Sequence, residues 1–147
     1  MPMSESDGRA LKQSAVEALR RGDVARARGQ FEEVVAAGQA DALTWLGLAA
    51  ACRALKDDSA TTAAVDKVLA LEPRNVRALI MKADHNAQAG DVPTAVSFYR
   101  AAIKSAQAAG QLPPDLAQEV RRASDVCNRF ARDYESFLRA KLGEQGF

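Results

Sequence analysis

The stretch DALTWLGLAAACRALKDDSATTAAVDKVLALEPR, residues 41–74, decides the fold of this chain, because its landmark residues recur 34 positions earlier and 34 positions later. Two series of polar residues keep this spacing: Asp7, Asp41 and Asn75, and Asp23, Asp57 and Asp91. Two packing series keep it as well: Ala15, Ala49 and Ala83, and Phe31, Val65 and Tyr99. A fixed period near 34 residues is typical of stacked helix pairs, in which each pair buries its apolar face on its neighbours. The sequence therefore predicts an all-α fold with three helix-pair repeats.

The two polar series predict where the helices begin. Asp7, Asp41 and Asn75 would cap the first helix of each pair, and Asp23, Asp57 and Asp91 the second, by accepting hydrogen bonds from free backbone N–H groups. The first helices are predicted over residues 8–21, 42–55 and 76–89, and the second over 24–37, 58–71 and 92–106. Gly22 and Gly90 precede two of the second caps and suit a left-handed turn. Lys56 stands at that position in the middle repeat, where the same turn would cost about 1 kcal/mol.

The period ends near residue 106. Residues 108–114 contain Gly110 and the pair Pro113-Pro114, which predict a loop. Beyond it, apolar residues alternate in steps of four and three, which predicts one helix over about 115–143, with Asp115 and Gln118 at its start. We expect this helix to cap the last repeat. The whole is then a single domain over 1–147, with repeats at about 8–41, 42–75 and 76–107.

Composition sets limits on function. The 147 residues carry 20 basic and 19 acidic side chains, a net charge of +1, so no electrostatic attraction to nucleic acid or to an anionic membrane is expected. No apolar run approaches the roughly 20 residues of a membrane helix, and the first residues lack the pattern of a secretory signal. The two cysteines fit no metal-binding spacing. We expect a reduced, cytoplasmic protein.

The titratable residues offer little for catalysis. His85 is the only histidine, and a metal site needs several converging ligands. Cys52 and Cys127 lie at positions expected to be buried, where a thiol is inert. Paired carboxylates such as Glu32-Glu33 are adjacent in sequence and point apart on a helix. We therefore predict no metal, no cofactor and no enzymatic activity.

The repeats resemble the tetratricopeptide repeat over about residues 8–107. In the middle repeat the matching residues are Trp45, Leu48, Ala49, Asp57, Val65, Val68, Leu71 and Pro73. In the third they are Leu79, Ala83, Gly90, Asp91, Ala95, Tyr99 and Ala102, and in the first Leu11, Ala15, Gly22, Asp23, Ala27, Phe31 and Val34. The resemblance implies a right-handed superhelix that binds a protein or peptide partner on its concave face.

Family geometry implies that the first helices line this concave face. The expected peptide-binding residues are Arg9, Lys12, Gln13, Val16, Leu43, Leu46, Gly47, Ala50, Arg77, Ile80, Met81 and Asp84. An apolar centre flanked by basic residues would hold a peptide whose carboxylates meet Arg9, Lys12 or Arg77. The carboxylate clamp of chaperone-tail binders is disfavoured, because Val16 stands where that clamp needs an Asn. Two alternatives stay open: these side chains contact solvent, or the capping helix itself fills the groove.

A second resemblance concerns the repeat segment that precedes the catalytic domain of bacterial aspartyl/asparaginyl β-hydroxylase-like proteins. The similar stretches are Trp45–Leu55, Val68–Asn75, Ala78–Asp84, Leu112–Leu116 and the long helix ending near Phe147. Those iron- and 2-oxoglutarate-dependent domains need paired histidine ligands, and this chain has one histidine. The resemblance therefore implies a non-catalytic accessory or assembly segment. Self-association through the terminal repeat or the capping helix is a third possibility.

Overall fold

The structure, a computed structural model, describes residues 2–144, and these contain seven α-helices and no strand. The helices are α1 (Glu5–Arg20), α2 (Val24–Ala36), α3 (Ala42–Ala54), α4 (Asp58–Leu71), α5 (Val76–Gln88), α6 (Val92–Ala109) and α7 (Pro114–Glu144). The predicted fold class is confirmed: three helix pairs are followed by one long helix. Two compact units divide between Pro73 and Arg74. The single domain over 1–147 stays a prediction, and its last three residues, with the helix end expected near Phe147, lie outside the described residues.

Four of the predicted N-caps are confirmed. Asp41 accepts a hydrogen bond from the backbone N–H of Thr44 at 2.8 Å, and the Thr44 hydroxyl accepts one from the Asp41 N–H in return. This reciprocal pair satisfies two donors that the helix itself cannot. Asn75, Asp57 and Asp91 each accept a hydrogen bond from the N–H three residues later, at 3.0 to 3.2 Å. The repeat of these residues at 34 positions thus reflects a repeated helix start.

Two of the capping predictions were wrong, and a third was right only in the position of the cap. Helix α1 begins one turn earlier than expected and is capped by Ser4, whose hydroxyl accepts from the Asp7 N–H at 3.0 Å. Asp23 precedes α2, but its side chain makes no capping hydrogen bond. Asp115 lies inside α7 because the helix already begins at Pro114, whose fixed φ and missing N–H suit a first helical position. The loop is accordingly shorter than predicted, since α6 continues to Ala109.

The turn between the helices of a pair is the same in all three repeats. Gly22 and Gly90 adopt φ of 80° and 86°, and Lys56 adopts φ of 61°. The residue after each of them donates its N–H to a carbonyl five positions back at 2.9 Å, as Asp57 does to Cys52. Lys56 thus keeps the glycine turn, which is the condition under which the sequence predicts a cost. The cost of a side chain in the left-handed region is therefore present in the native protein.

Phe31 lies at the centre of the first unit, where it is 1% exposed. Helix α2 packs on both α1 and α3, and α3 also contacts α1. A methyl group added to Gly47 on α3 would overlap the Phe31 ring, so that the missing side chain of this glycine makes room for the aromatic ring. The remaining core is built from small and branched residues: Ala15, Ala27, Val34, Leu48, Ala49, Ala51, Cys52, Ala64, Val65 and Val68.

Helix α7 packs chiefly on α6 and also contacts α5 in the second unit. Within the first unit, α3 has the same relation to α2 and α1. The first half of α7 therefore occupies the place that the first helix of a further repeat would take. Its buried residues are Leu116, Ala123 and Cys127, and the Cys127 thiol lies 3.9 Å from the carbonyl oxygen of Val96. This is the expected capping contact, made by the first half of the helix.

Candidate functional site

The predicted binding residues of the first unit lie on α1 and α3, and we call the part of the two helices that carries them the α1/α3 face: Val16, Leu43, Leu46 and Ala50, with the polar residues Arg9, Lys12 and Gln13. Leu43 is 64% exposed, the largest exposure among the large apolar residues that are described. Val16, Leu46 and Ala50 are half-buried, and Arg9 and Gln13 are exposed. Because α1 and α3 are in contact, residues that were predicted from two different repeats lie on neighbouring helices.

Lys12 is already engaged on this face. Its ammonium nitrogen lies 3.2 Å from a carboxylate oxygen of Asp41, the cap of α3, so that the ion pair joins α1 to α3. Burial tends to raise the pKa of Asp41, but hydrogen bonds from Thr44 and Lys12 outweigh it and leave the pKa below its usual value. The expected role of Lys12 in meeting a ligand carboxylate would require it to leave Asp41. Arg9 is the better-exposed cation on the α1/α3 face.

The predicted binding residues of α5 are either buried or bonded to α7 within the second unit. Ile80 and Met81 are buried, at 3% and 8% exposure. Arg77 donates to Asp115 on α7 at 3.0 Å, and Asp84 accepts from Arg122 on α7. These two contacts from α7 favour the alternative that the capping helix occupies part of the predicted binding surface. Of the two units, the first leaves more of its predicted residues accessible.

Asp84 belongs to a network that the sequence did not indicate. Arg122 donates to both of its carboxylate oxygens at 3.0 Å, and the Tyr99 hydroxyl donates to one of them. Burial and the bond to Asp84 raise the pKa of Tyr99 to about 12, and the carboxylate also raises the pKa of Arg122. Glu119 accepts from Arg122 as well, at 2.6 Å. Arg122 is half-exposed and lies outside the apolar stripe, so no periodic signal marked it.

Each unit contains one of the two cysteines. Cys52 and Cys127 are buried free thiols, and burial raises the pKa of both, which disfavours the nucleophilic thiolate. Among residues 2–144 no three His, Cys, Asp or Glu side chains come together in a way that could hold a metal ion. Over the same range, no helix is both long and apolar enough to cross a bilayer. Glu32, one of the paired carboxylates, is bound to Arg28 at 2.7 Å, and Arg28 also binds Asp57 at 2.9 Å.

Helix pairs repeated every 34 residues, with the same turn between the two helices of each pair, define a helical repeat protein. The tetratricopeptide repeat profile matches residues 13–60 and 58–111, and the chain belongs to the tetratricopeptide repeat family. No curated protein sequence is significantly similar to this chain.

Solved structures share the fold at low sequence identity. The chaperone SycD of Yersinia enterocolitica, in complex with a peptide of the translocator YopD, is 16% identical with a TM-score of 0.76, covering 91% of this chain and 99% of its own. PcrH, a Pseudomonas aeruginosa protein, in complex with the chaperone-binding region of PopB, is 21% identical with a TM-score of 0.70, covering 84% and 96%. The first repeat domain of Spaghetti, bound to an HSP90 peptide, is 14% identical with a TM-score of 0.67, covering 85% and 96%.

Proposed function

We propose that this chain is a non-catalytic interaction module that binds a peptide or a partner domain through the face of its first helices. Membership of the tetratricopeptide repeat family supports the proposal, and so do three structural neighbours that were solved with a bound peptide or binding region of another protein. The observation that carries it is the exposure of Leu43 beside Val16, Leu46 and Ala50 on the α1/α3 face. An apolar side chain left 64% exposed next to other apolar side chains is typical of a binding surface.

The charges on the α1/α3 face support a partner that is apolar with an acidic flank. Arg9 is exposed, and Lys12 is held by one surface carboxylate that a ligand carboxylate can replace. A surface ion pair of this kind contributes little stability, so its exchange costs little. The α5 residues that were predicted with them, Arg77, Ile80, Met81 and Asp84, belong to the second unit, where α7 competes for Arg77 and Asp84.

Two leucines of the first unit provide a matched test. Leu43 is 64% exposed on the α1/α3 face, and Leu71 is 57% exposed at the end of α4, outside the proposed face. We expect that peptides selected from a displayed random library against the full chain lose at least about tenfold in affinity with Leu43→Glu and keep it with Leu71→Glu. Circular dichroism would check that both variants remain helical. Equal losses in the two variants, or selection of no peptide, would count against the proposal.

The accessory segment of a β-hydroxylase-like oxygenase is the second candidate. It rests on the sequence stretches that resemble that family, including Trp45–Leu55 and Leu112–Leu116. In this candidate the chain positions a substrate or assembles the enzyme, and the iron and 2-oxoglutarate belong to another domain. Reading the coding sequence past Phe147 tests it, because a stop codon there would refute the fusion. In both candidates the protein works in the cytoplasm.

A further inference from the structure

The second half of α7 has an apolar face that the rest of its unit does not cover. Helix α7 runs toward the start of α6, since Arg122 contacts Tyr99 and Cys127 lies beside Val96. Val96 is in the second turn of α6, so only about one turn of α6 remains beyond Cys127 to cover α7. Helix α7 continues to residue 144, which is about 25 Å beyond Cys127 at 1.5 Å per residue. Four large apolar side chains in this overhang are exposed: Tyr134 at 55%, Phe137 at 54%, Leu138 at 41% and Leu142 at 48%.

The overhang continues the stripe that binds α6. Steps of three and four residues lead from Ala123 and Cys127, which are buried, through Phe130 to Tyr134 and Phe137, which are exposed. The three aromatic rings stack along the helix, with centroids 6.4 and 6.5 Å apart. Alternating steps of three and four are the spacing by which two helices pack along a common line of contact. The first half of the stripe therefore packs against α6. The second half has the same spacing of apolar residues, but its side chains are exposed.

The order of charges along the overhang indicates which helix fits there. Asp133 and Glu135 precede Phe137, and Arg139 and Lys141 follow it at equal distances. In an antiparallel pair of overhangs centred on Phe137, Asp133 of each copy faces Lys141 of the other. A parallel pair would place like charges together, which is destabilising. Lys141 follows Phe137 by four residues and so stands on the stripe itself, with its ammonium nitrogen 5.9 Å from the centre of the Phe137 ring.

From these observations we propose that the α7 overhang, residues 128–144, is a self-association surface that pairs antiparallel with the overhang of a second copy of this chain. Small residues at Ala131 and Ala140 flank the aromatic rings and allow the two helices to approach closely. A bilayer surface fits less well, since four basic side chains on the overhang are offset by three acidic ones. The proposal is independent of the α1/α3 face, which lies in the other unit.

Sedimentation equilibrium of the full chain tests the pairing. We expect a monomer–dimer equilibrium when the concentration is varied from about 1 to about 100 µM. Tyr134→Glu combined with Phe137→Glu should weaken dimerisation at least about 100-fold, because two carboxylates would enter the contact. Ser136→Glu, on the opposite side of the same helix, is the matched control and should leave the dimer intact. All three side chains are exposed, so the variants should keep their helicity, which circular dichroism verifies.

A charge exchange tests the orientation. Asp133→Lys and Lys141→Asp should each weaken the dimer at least about threefold, and the double variant should recover the affinity of the parent. Any of three results would overturn the proposal: a monomer at every concentration, a dimer that Tyr134→Glu with Phe137→Glu leaves unchanged, or single charge variants that the double variant does not rescue. A monomer that associates only with added anionic lipid vesicles would also overturn it, in favour of a membrane surface.

Discussion

Arg122 on α7 donates two hydrogen bonds of 3.0 Å to Asp84 on α5, one to each carboxylate oxygen. The guanidinium carbon also lies 5.9 Å from the centre of the Tyr99 ring on α6. One side chain of the C-terminal helix thus contacts both helices of the last repeat. Arg122 therefore holds α7 against the last repeat through polar contacts, in addition to the apolar contacts of Leu116, Ala123 and Cys127.

Removing the Arg122 side chain should weaken the packing of α7 on the last repeat. We expect Arg122→Ala to lower the free energy of unfolding of the second unit by about 1–2 kcal/mol, because a two-pronged bond to a half-buried carboxylate is lost. Hydrogen exchange should show faster opening of α7 than of α5. Arg139→Ala is the control: it removes an exposed pair with Glu135, at 2.6 Å, and should cost less than about 0.5 kcal/mol. Similar costs for both variants would contradict the role of Arg122.

Gly47 offers a test of packing in the first unit. Gly47→Ala should destabilise by about 1–3 kcal/mol, because the new methyl group displaces the buried Phe31 ring. Gly29→Ala, in the interior of α2, meets no atom within 4 Å and should instead stabilise by up to about 1 kcal/mol. Urea unfolding followed by circular dichroism measures both. A stabilised Gly47→Ala variant would show that the ring can move freely.

Lys56 should be replaceable with a gain in stability. At φ of 61° its side chain is strained, and Lys56→Gly should raise the free energy of unfolding by about 1 kcal/mol. The reverse change at the equivalent position, Gly22→Lys at φ of 80°, should lower it by a similar amount. If Lys56→Gly destabilised the protein, the backbone strain at this turn would be offset by side-chain contacts.

Acid should weaken the helix caps and the ion pairs together. The pKa of Asp57 is lowered by the hydrogen bond from the Ala60 N–H and by Arg28, and that of Asp115 by Arg77. A carboxyl group with a lowered pKa adds stability that is present above its unfolded pKa of about 3.9, and this stability is lost as the pH falls through the folded pKa. Urea unfolding should therefore show a decrease in stability below about pH 4. Asp57→Asn should make that decrease shallower, and an unchanged slope would exclude Asp57 as a contributor.

Sequence periodicity predicted the fold well where the deciding interactions are local. The caps at Asp41, Asp57, Asn75 and Asp91 bind N–H groups only three residues away, so spacing and residue type suffice. At the first helix the same rule failed, because Ser4 lies outside the repeated series. Its position is fixed by Gln39, whose side-chain amide donates to the Met3 carbonyl at 2.7 Å, a contact across 36 residues.

The candidate site was less predictable than the fold. Lys12 and Arg77 were identified as cations for a ligand, yet each binds a carboxylate of its own unit, Asp41 and Asp115. These partners are 29 and 38 residues away, so their approach depends on how the helices rotate and pack. Whether the α1/α3 face or the predicted α5 residues bind a peptide stays a prediction.

The sequence by itself determined the number of helix pairs and most helix ends, because a backbone preference repeats wherever its residues repeat. Only the tertiary structure decided that α7 takes the place of a further first helix and that Arg122 reaches Asp84. It also decided that the stripe of α7 is buried at Cys127 and exposed from Tyr134 onward. The stripe is uniform in sequence, and the place where burial stops depends on where the neighbouring helix α6 begins.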